Sequence, residues 1–216
     1  MDAVDRLSLP ECLRYYPDVK VHVISYDPTR CAGGLSLLLQ NYSVQQTVSA
    51  ATHKAVYGTE GFEQGVHYWS FKIIDRATNG YIMIGVSDGL VSCTTSDYPG
   101  CVSGSHDVAL YLANGHRYFS ATNGAMPQVD LIKRATHVGV LLNMKNKTCS
   151  FFADGILLGM GAGSDILTSK KYFPLVTVYE LGQTICSDVL VNPLQQPDSS
   201  APVQVGQMLT SRGPGR

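Results

Sequence analysis

The sequence has little charge of either sign and no long apolar run. Charged residues make up 15% of the chain, against roughly 25% in an average soluble domain, and 16 Lys and Arg balance 17 Asp and Glu. Such a chain has no electrostatic footprint for a phosphate backbone or an anionic membrane. No apolar stretch approaches the roughly 20 residues that cross a bilayer. We therefore expect neither nucleic acid nor membrane partners.

The chain ends are polar. The first ten residues contain Asp2, Asp5 and Arg6 and lack the apolar run of a secretory signal, so we expect a cytoplasmic protein, with the nucleus left open. From Asn192 onward Pro, Gln, Ser and Gly dominate, a composition that cannot bury a core. We predict an N-terminal segment over residues 1–18, one domain over 19–192 and a flexible tail over 193–216.

Cysteine and histidine are not spaced as metal ligands. The six cysteines include no Cys-x-x-Cys pair, and the six histidines include no pair three or four residues apart. A domain of this length can also bury a core without disulfides. We therefore expect free thiols, no metal site and no cofactor.

Turn dipeptides are frequent. Five Asn-Gly or Asp-Gly pairs, of the type that closes tight hairpins, begin at Asn79, Asp88, Asn114, Asn123 and Asp154. Short runs rich in β-branched and aromatic residues lie between such turns and are typical of strands. The eleven predicted strands cover residues 19–25, 35–40, 66–74, 81–87, 108–112, 117–120, 137–143, 148–153, 156–160, 173–179 and 184–191.

The pattern of these runs predicts an all-β fold. Val19, Val21 and Val23 alternate with polar residues, as in a strand with one solvated face. No helical period separates the runs, which excludes alternating βαβ units and favours antiparallel strands in a sandwich or barrel. Only a short N-terminal helix over residues 5–13 and a single turn at 164–169 are compatible with helix.

One motif suggests an enzyme. The segment from Gly85 to Gly89, with Ser87 at its centre, matches the Gly-x-Ser-x-Gly nucleophile elbow and follows an apolar run. The elbow requires a helix directly after the serine, whereas residues 90–100 contain Pro and Gly and have no helical period. A turn at Asp88 and Gly89 is the preferred interpretation, and a serine hydrolase using Ser87 is the alternative.

Tyrosine is abundant, with twelve residues in the chain, and Tyr57, Tyr98 and Tyr179 fall in predicted loops. Loop tyrosines are typical of binding surfaces, because the ring supplies contact area at low entropic cost. The other interpretation of each is a core-facing ring whose hydroxyl is hydrogen-bonded internally. The loop tyrosines are therefore candidate binding residues.

Four ordered segments together resemble one family, the SPRY domain, called B30.2 when a short companion segment precedes it. They are residues 61–73 with the single Trp, residues 79–87, the hairpin 142–159 and the aromatic-Pro-x-Val strand at 172–176. Residues 27–44 are similar to the companion segment. The pattern is closest to the SOCS-box and Ran-binding-protein types. The resemblance implies a concanavalin-like bent sandwich of two antiparallel sheets over residues 19–192.

The resemblance also implies a function. Members of this family are usually non-catalytic modules that hold a peptide or a partner protein on loops at one edge, often to bring substrates to a ubiquitin ligase. We therefore expect a monomeric protein-protein interaction module, acting as a substrate-recruiting adaptor or a signalling scaffold. A scaffold that self-associates through a sheet edge is a further alternative.

The resemblance implies a partner-binding site with changed specificity. In the SOCS-box SPRY proteins a loop arginine and proline hold an acidic, Asn-rich peptide, and the matching residues 45–50 contain neither. Gln46 cannot replace a bidentate guanidinium. The tyrosine of that site matches Tyr98, and the last loop, residues 179–182, is one residue longer. The implied binding residues are Gln46, Val48, Thr52, Tyr98, Pro99, Tyr179, Glu180, Leu181 and Gly182.

Overall fold

The structure, a computed structural model, describes residues 10, 13, 15–49, 52–90, 93, 106–119 and 122–188. Within these residues there are fifteen β-strands and one α-helix. In chain order they are β1 Val19–His22, β2 Tyr26–Cys31, β3 Leu35–Leu38, β4 Ser43–Gln46, β5 Lys54–Gly58, β6 Val66–Asp75, β7 Met83–Ser87, β8 Val108–Tyr111, β9 His116–Phe119, β10 Thr122–Ala125, α1 Val129–Arg134, β11 His137–Asn143, β12 Thr148–Ala153, β13 Ile156–Ala162, β14 Phe173–Val178 and β15 Thr184–Asp188.

The strands form the two sheets of a sandwich. In the first sheet the order is β13-β12-β11-β6-β15-β4-β3, and in the second it is β10-β9-β8-β7-β14-β5-β2. Every pair in these two orders is antiparallel, whereas β1 pairs with β6 in parallel. The predicted all-β sandwich of antiparallel sheets is confirmed, and the parallel β1 is its one departure in the described chain.

Strand alternation fills the space between the sheets. Trp69 and Phe71 in β6 are fully buried there, as are Ile84 and Val86 in β7 of the opposite sheet. Successive residues of a strand point to opposite faces, which is why these core residues are spaced by two. Each such side chain stabilises the fold by roughly 1.5 to 3 kcal/mol through burial.

The outer face of the first sheet is also covered. Tyr68 in β6 and Phe152 in β12 are buried on this face and pack edge to face, with ring centroids 5.5 Å apart. Leu13 and Tyr16, which precede β1, pack on the same cluster. The residues before β1 therefore belong to the hydrophobic structure of the domain.

The first and last described strands share one side of β6. Strand β11 lies along the other side. β1 pairs with the first four residues of β6, and β15 pairs with the remaining residues of β6. The two strands therefore meet end to end at His22 and Asp188. The Ile24 N–H donates a hydrogen bond to the Ser187 hydroxyl across this junction. The central strand is thus completed by two segments from distant parts of the sequence.

The hairpin predicted around Asp154 and Gly155 is present. Both residues have positive φ, 46° and 82°, as a tight hairpin turn requires. Asp154 Oδ1 also accepts hydrogen bonds from the N–H groups of Thr136 and His137, at 2.9 and 2.8 Å. The turn sets the first pair, Ala153 with Ile156, and two irregularities between β12 and β13 shift the pairing further along the hairpin.

The other four turn dipeptides have different roles. The pair at Asn114 joins β8 to β9, as predicted. The pair at Asn79 lies in the crossing from β6 in the first sheet to β7 in the second, and the pair at Asp88 follows β7 on the long connection to β8. The pair at Asn123 lies inside β10, so the turn predicted there is wrong, because pairing with β9 extends this segment.

The predicted terminal features fall largely outside the described residues. Of the helix expected over residues 5–13, the structure describes Pro10 and Leu13, and the Leu13 N–H donates to the Pro10 carbonyl at 2.9 Å. The tail expected over residues 193–216 lies outside the described residues altogether. At 164–169 there is a single turn, in which the Leu167 N–H donates to the Gly163 carbonyl at 3.0 Å.

Candidate partner-binding site

Four connections meet at one edge of the sandwich. Val178 at the end of β14 pairs with Lys54 at the start of β5, and Met83 at the start of β7 pairs with Tyr111 at the end of β8. Thr184 at the start of β15 lies at the same edge, since it pairs with the last residue of β6. We call this the loop edge and define it by residues 47–49, 52–53, 76–82, 112–115 and 179–183.

Gln183 holds the last loop in shape. Its side chain is fully buried, and Oε1 accepts hydrogen bonds from the N–H groups of Tyr179 and Glu180, at 2.7 and 3.0 Å. Nε2 donates to the Arg76 carbonyl at 2.9 Å and to Glu180 Oε2 at 3.1 Å. These four bonds use the donors and acceptors of one amide, and they join the last loop to the loop between β6 and β7.

Two of the predicted binding residues also connect loops. The Glu180 carboxylate accepts hydrogen bonds from the Asn79 N–H at 3.0 Å and from Asn79 Nδ2 at 2.6 Å. The Gly182 N–H donates to the Gln46 carbonyl at 2.9 Å, and the Gln46 N–H donates to the Gln183 carbonyl at 3.0 Å. Gln46 and residues 179–182, predicted together, therefore lie side by side.

The predicted residues differ in exposure. The Gln46 side chain is 0% exposed, so it lies beneath the surface rather than on it, and neither of its amide atoms has a hydrogen-bond partner among the described residues. Thr52 and Tyr179 are half-buried. Val48 is 44% exposed and Leu181 58% exposed. Among the described members of the predicted set, Val48 and Leu181 are therefore the exposed apolar residues.

Tyr98 and Pro99 lie outside the described residues. The segment that contains them connects Ser87 at the end of β7 to Val108 at the start of β8. Those two strand ends are opposite to the loop edge, because Met83 and Tyr111 mark the other end of the same pair. The structure thus describes seven of the nine predicted binding residues, and it brings the two loops that contain them together.

A row of tyrosines flanks the loop edge, and Tyr179 is the member of this row that was predicted as a binding residue. The ring centroids of Tyr179 and Tyr81 are 5.5 Å apart, those of Tyr81 and Tyr111 6.1 Å, and those of Tyr111 and Tyr118 5.7 Å. All four side chains are half-buried. We call them the tyrosine row. They come from four different elements, so only the register of the second sheet reveals that they are neighbours.

His53 supports one end of the tyrosine row. Its ring centroid is 5.0 Å from that of Tyr179 and 5.9 Å from that of Tyr111. Burial lowers the pKa of His53 to about 4, so the imidazole is neutral at physiological pH. A neutral ring packs against two tyrosines without a buried charge, which helps to hold the row in place.

The segment with Ser87 does not have the geometry of a nucleophile elbow. Ser87 is fully buried at the end of β7, a strand antiparallel to both of its neighbours. Its hydroxyl donates to Tyr57 Oη at 3.2 Å and accepts from the Gly89 N–H at 2.9 Å. Tyr57 lies in β5 and is buried, so its prediction as a loop residue is wrong, and burial raises its pKa.

The described residues contain little else that suggests catalysis, metal binding or membrane insertion. Among them, no cluster of three or more His, Cys, Asp or Glu side chains could hold a metal ion. The cysteines described here are free thiols at Cys31, Cys93, Cys149 and Cys186. No helix in this part of the chain is long and apolar enough to span a membrane.

The sequence is similar to a known family and to one of its curated members. Residues 66–188, more than half of the chain, match the SPRY domain. The E3 ubiquitin-protein ligase TRIM9 of Drosophila melanogaster is 24% identical over 156 residues, which are 71% of this chain and 20% of that protein. The chain thus spans about a fifth of the length of the curated relative it matches.

Solved structures with the same fold include two SPRY domains and a toxin. The TRIM65 PSpry domain is 16% identical with a TM-score of 0.63, covering 78% of this chain and 93% of that one. The human HERC1 SPRY domain is 15% identical with a TM-score of 0.60, covering 77% and 98%. Stonustoxin is 16% identical with a TM-score of 0.62, covering 82% and 28%. The fold and the sequence match agree, and the chain belongs to the SPRY domain family.

Proposed function

We propose that this chain is a non-catalytic interaction module whose loop edge binds a partner protein or a short peptide. The observation that supports this most is the tyrosine row beside the exposed Leu181. Aromatic and aliphatic side chains of this kind form the centres of protein interfaces. The hydroxyls of Tyr81 and Tyr179 make no hydrogen bond within the described residues, which leaves them available to a partner.

The loop edge is also rigid enough to bind without a large entropic cost. Buried Gln183 fixes the backbone at Tyr179 and Glu180, and Glu180 fixes Asn79. A loop that is ordered before binding loses less conformational freedom when the partner arrives. This arrangement favours recognition by preformed loops.

The wider role that we propose is recruitment. The similar TRIM9 is named as an E3 ubiquitin-protein ligase, and this chain corresponds to about a fifth of its length. We propose that the domain brings substrates to a ligase or serves as a signalling scaffold, as a monomer in the cytoplasm and without nucleic acid. SPRY domains in general bind protein partners, which agrees with this role.

The two alternatives have less support. A hydrolase would need an accessible serine, whereas Ser87 is fully buried and its hydroxyl is bonded to Tyr57 and Gly89. Self-association through a sheet edge would need a regular edge strand. The outermost strands are β13, β3, β10 and β2. β13 is interrupted by two register shifts, β2 contains Pro28, and β3 and β10 have four residues each, and all of these features disfavour edge pairing.

Affinity capture from cell lysate tests the proposal. The bait proteins are the wild-type chain, Leu181→Ser, Tyr98→Ala and a control, Leu38→Ser, at an exposed position at the opposite end of the sandwich. We expect Leu181→Ser to lose a set of proteins that Leu38→Ser retains, and Tyr98→Ala tests separately whether the predicted Tyr98 contributes to the same contact. Melting temperatures of Leu181→Ser and Leu38→Ser should stay within about 2 °C of wild type, because both positions are exposed and exposed substitutions change stability little.

Capture of the same set of proteins by all four baits would contradict binding at the loop edge. Loss from Leu38→Ser as well would assign the contact to another surface. A large fall in the melting temperature of Tyr98→Ala would assign Tyr98 to the core instead of the interface.

A further inference from the structure

A cleft opens at the loop edge between the β6–β7 loop, the β8–β9 turn and the last turn of α1. Its volume is about 200 Å³, and its lining includes the cations Arg76 and Lys133, the polar Thr78 and Asn79, and the apolar Leu112. No lining residue is acidic, and the structure describes all of them. The cleft therefore has two positive charges and no negative one.

Arg76 uses only part of its hydrogen-bonding capacity. Nη2 donates to the carbonyls of Ala135 and Ile132 at the end of α1. Within the described residues Nε and Nη1 donate no hydrogen bond, and Nη1 lies beside Gly80, 3.8 Å from where a β-carbon would be. Burial lowers the pKa of the guanidinium, so the charge is partly desolvated. Such a cation is stabilised by an anion at its unused donors.

Lys133 is the second cation of the cleft. It lies in the last turn of α1 and its side chain is exposed. None of the ion pairs in the described part of the chain involves Lys133 or Arg76. Both charges are therefore available to an external group.

The nearby carboxylates are already used elsewhere. Glu180 accepts hydrogen bonds from Asn79 and Gln183. Asp75 accepts from the Ala77 N–H at 2.7 Å. Asp154, whose charge acts on Arg76 from a distance, accepts from the N–H groups that follow α1. These acids shape the surrounding loops, and none of them fills the cleft.

The volume and position of the cleft define which ligand group it can hold. About 200 Å³ is smaller than the roughly 300 to 1,000 Å³ of small-molecule pockets, and it exceeds the roughly 30 Å³ of one water. A single side chain is of the right size. Gly80 in the cleft precedes Tyr81, and Leu112 follows Tyr111, so the backbone that lines the cleft continues into two residues of the tyrosine row.

We propose that the cleft binds the carboxylate side chain of an Asp or Glu in an extended partner peptide, whose flanking residues contact the tyrosine row. The inference rests on the proposed function, since it assigns one position of the peptide that the loop edge would hold. Arg76 and Lys133 supply the charge, and Thr78 and Asn79 line the polar wall. Two cations without a counter-charge make this position selective for an acid over its amide.

The test is a selection from a display library of random linear peptides, with the full chain as bait. The baits are wild type, Lys133→Glu and Lys170→Glu, where Lys170 is also exposed and without an ion pair in the described chain but lies on the β13–β14 connection. We expect wild type and Lys170→Glu to enrich peptides with Asp or Glu at one fixed position. Lys133→Glu should lose this preference.

Titrations with synthetic peptides then give the magnitude of the charge effect on affinity. Peptides with amidated C-termini are measured by titration, so that binding depends on the side-chain carboxylate and not on a terminal one. We expect Lys133→Glu to raise Kd about tenfold, and the acid-to-amide change in the peptide to do the same in wild type. Lys133→Met removes the charge without reversing it, and in this variant the acid-to-amide change should have a smaller effect.

Each outcome distinguishes the inference from the proposed function. Enriched peptides without a shared acidic position, or an equal response of Lys133→Glu and Lys170→Glu, would overturn the carboxylate assignment. If such peptides still lose binding to Leu181→Ser, the loop edge remains the binding site. If Leu181→Ser leaves binding intact, or no peptide is enriched, the proposal of peptide binding at this edge fails together with the carboxylate assignment.

Discussion

Asp107 is a buried carboxylate whose replacement tests the packing of the second sheet. It precedes β8 and is fully buried, and neither carboxylate oxygen has a well-formed hydrogen bond within the described residues. The nearby Ser87 hydroxyl directs its one hydrogen to Tyr57 Oη. Burial therefore raises the pKa of Asp107 from 3.8 to about 6, and the polar Ser87 offsets only part of the rise.

This pKa predicts how stability changes with pH. Between pH 3.8 and about 6 the folded chain keeps the Asp107 proton that the unfolded chain loses, so the free energy of unfolding falls as pH rises. The slope is about 1.4 kcal/mol per pH unit, and the full loss is about 3 kcal/mol once pH exceeds the folded value. Asp107→Asn has no such titration. We expect its stability, relative to wild type, to increase by about 3 kcal/mol across this range.

Urea unfolding followed by tryptophan fluorescence measures the difference. Trp69 is the single tryptophan of the chain and is completely buried in the core, so its emission reports global unfolding. Wild type and Asp107→Asn are compared at about pH 3.5, 5 and 7.5. Asp165→Asn, at an exposed position, is the matched control and should follow wild type at each pH.

Two results would refute the reasoning. A difference between wild type and Asp107→Asn that is constant with pH would show that the carboxyl ionises alike in the folded and unfolded chains. A difference that grows as pH falls would show that the ionised Asp107 is stabilised by a partner. The first would contradict its desolvation, and the second its lack of hydrogen bonds.

Two further substitutions test the loop edge and the core. Gln183→Ala removes four hydrogen bonds and leaves buried backbone groups near Glu180 unpaired, so we expect a loss of about 2 to 4 kcal/mol in urea unfolding, together with loss of the loop-edge partners. Gly85→Ala would place a β-carbon 1.8 Å from the Val108 carbonyl oxygen and force β7 from β8. We expect a loss above about 3 kcal/mol by circular dichroism melting, whereas Gly124→Ala, whose β-carbon would make an ordinary contact with Arg117 Nε at 3.7 Å, should cost less than about 1 kcal/mol.

The long central strands were predictable because their sequences are rich in residues that favour strands and bury apolar surface. β11 and β12 have the predicted bounds, and β6 differs by one residue at its end. Each has apolar side chains with strong β propensity on at least one face. β2 and β4 were not predicted, because β2 contains Asp27 and Pro28, and β4 ends in Gln45 and Gln46. Pairing with neighbours overrides these local preferences.

The short helix was missed for a related reason. α1 has six residues, too few to establish a helical period, and Gln128 before it has positive φ rather than a capping side-chain bond. Its position is set by tertiary contacts, notably the bond from Arg76 to the Ala135 carbonyl. Local sequence does not record such contacts.

The candidate site was predictable in part. Its two loops followed from the resemblance, and the structure places them side by side through Gln46 and Gly182. The burial of Gln46 was not foreseeable, because a polar loop residue is usually exposed. Tyr81 and Tyr111 come from separate elements, and their proximity depends on strand register, which a single sequence does not reveal.

The junction of β1 and β15 beside β6 has a consequence for synthesis of the chain. β6 emerges from the ribosome early, yet most of one of its sides stays open until β15, the last described strand, has been made. A nascent chain therefore holds residues 70–75 unpaired on this side while nearly all of the remaining strands are translated. Closure then joins segments far apart in sequence, a slow step by topology. The domain thus completes its fold as one unit near the end of its own translation.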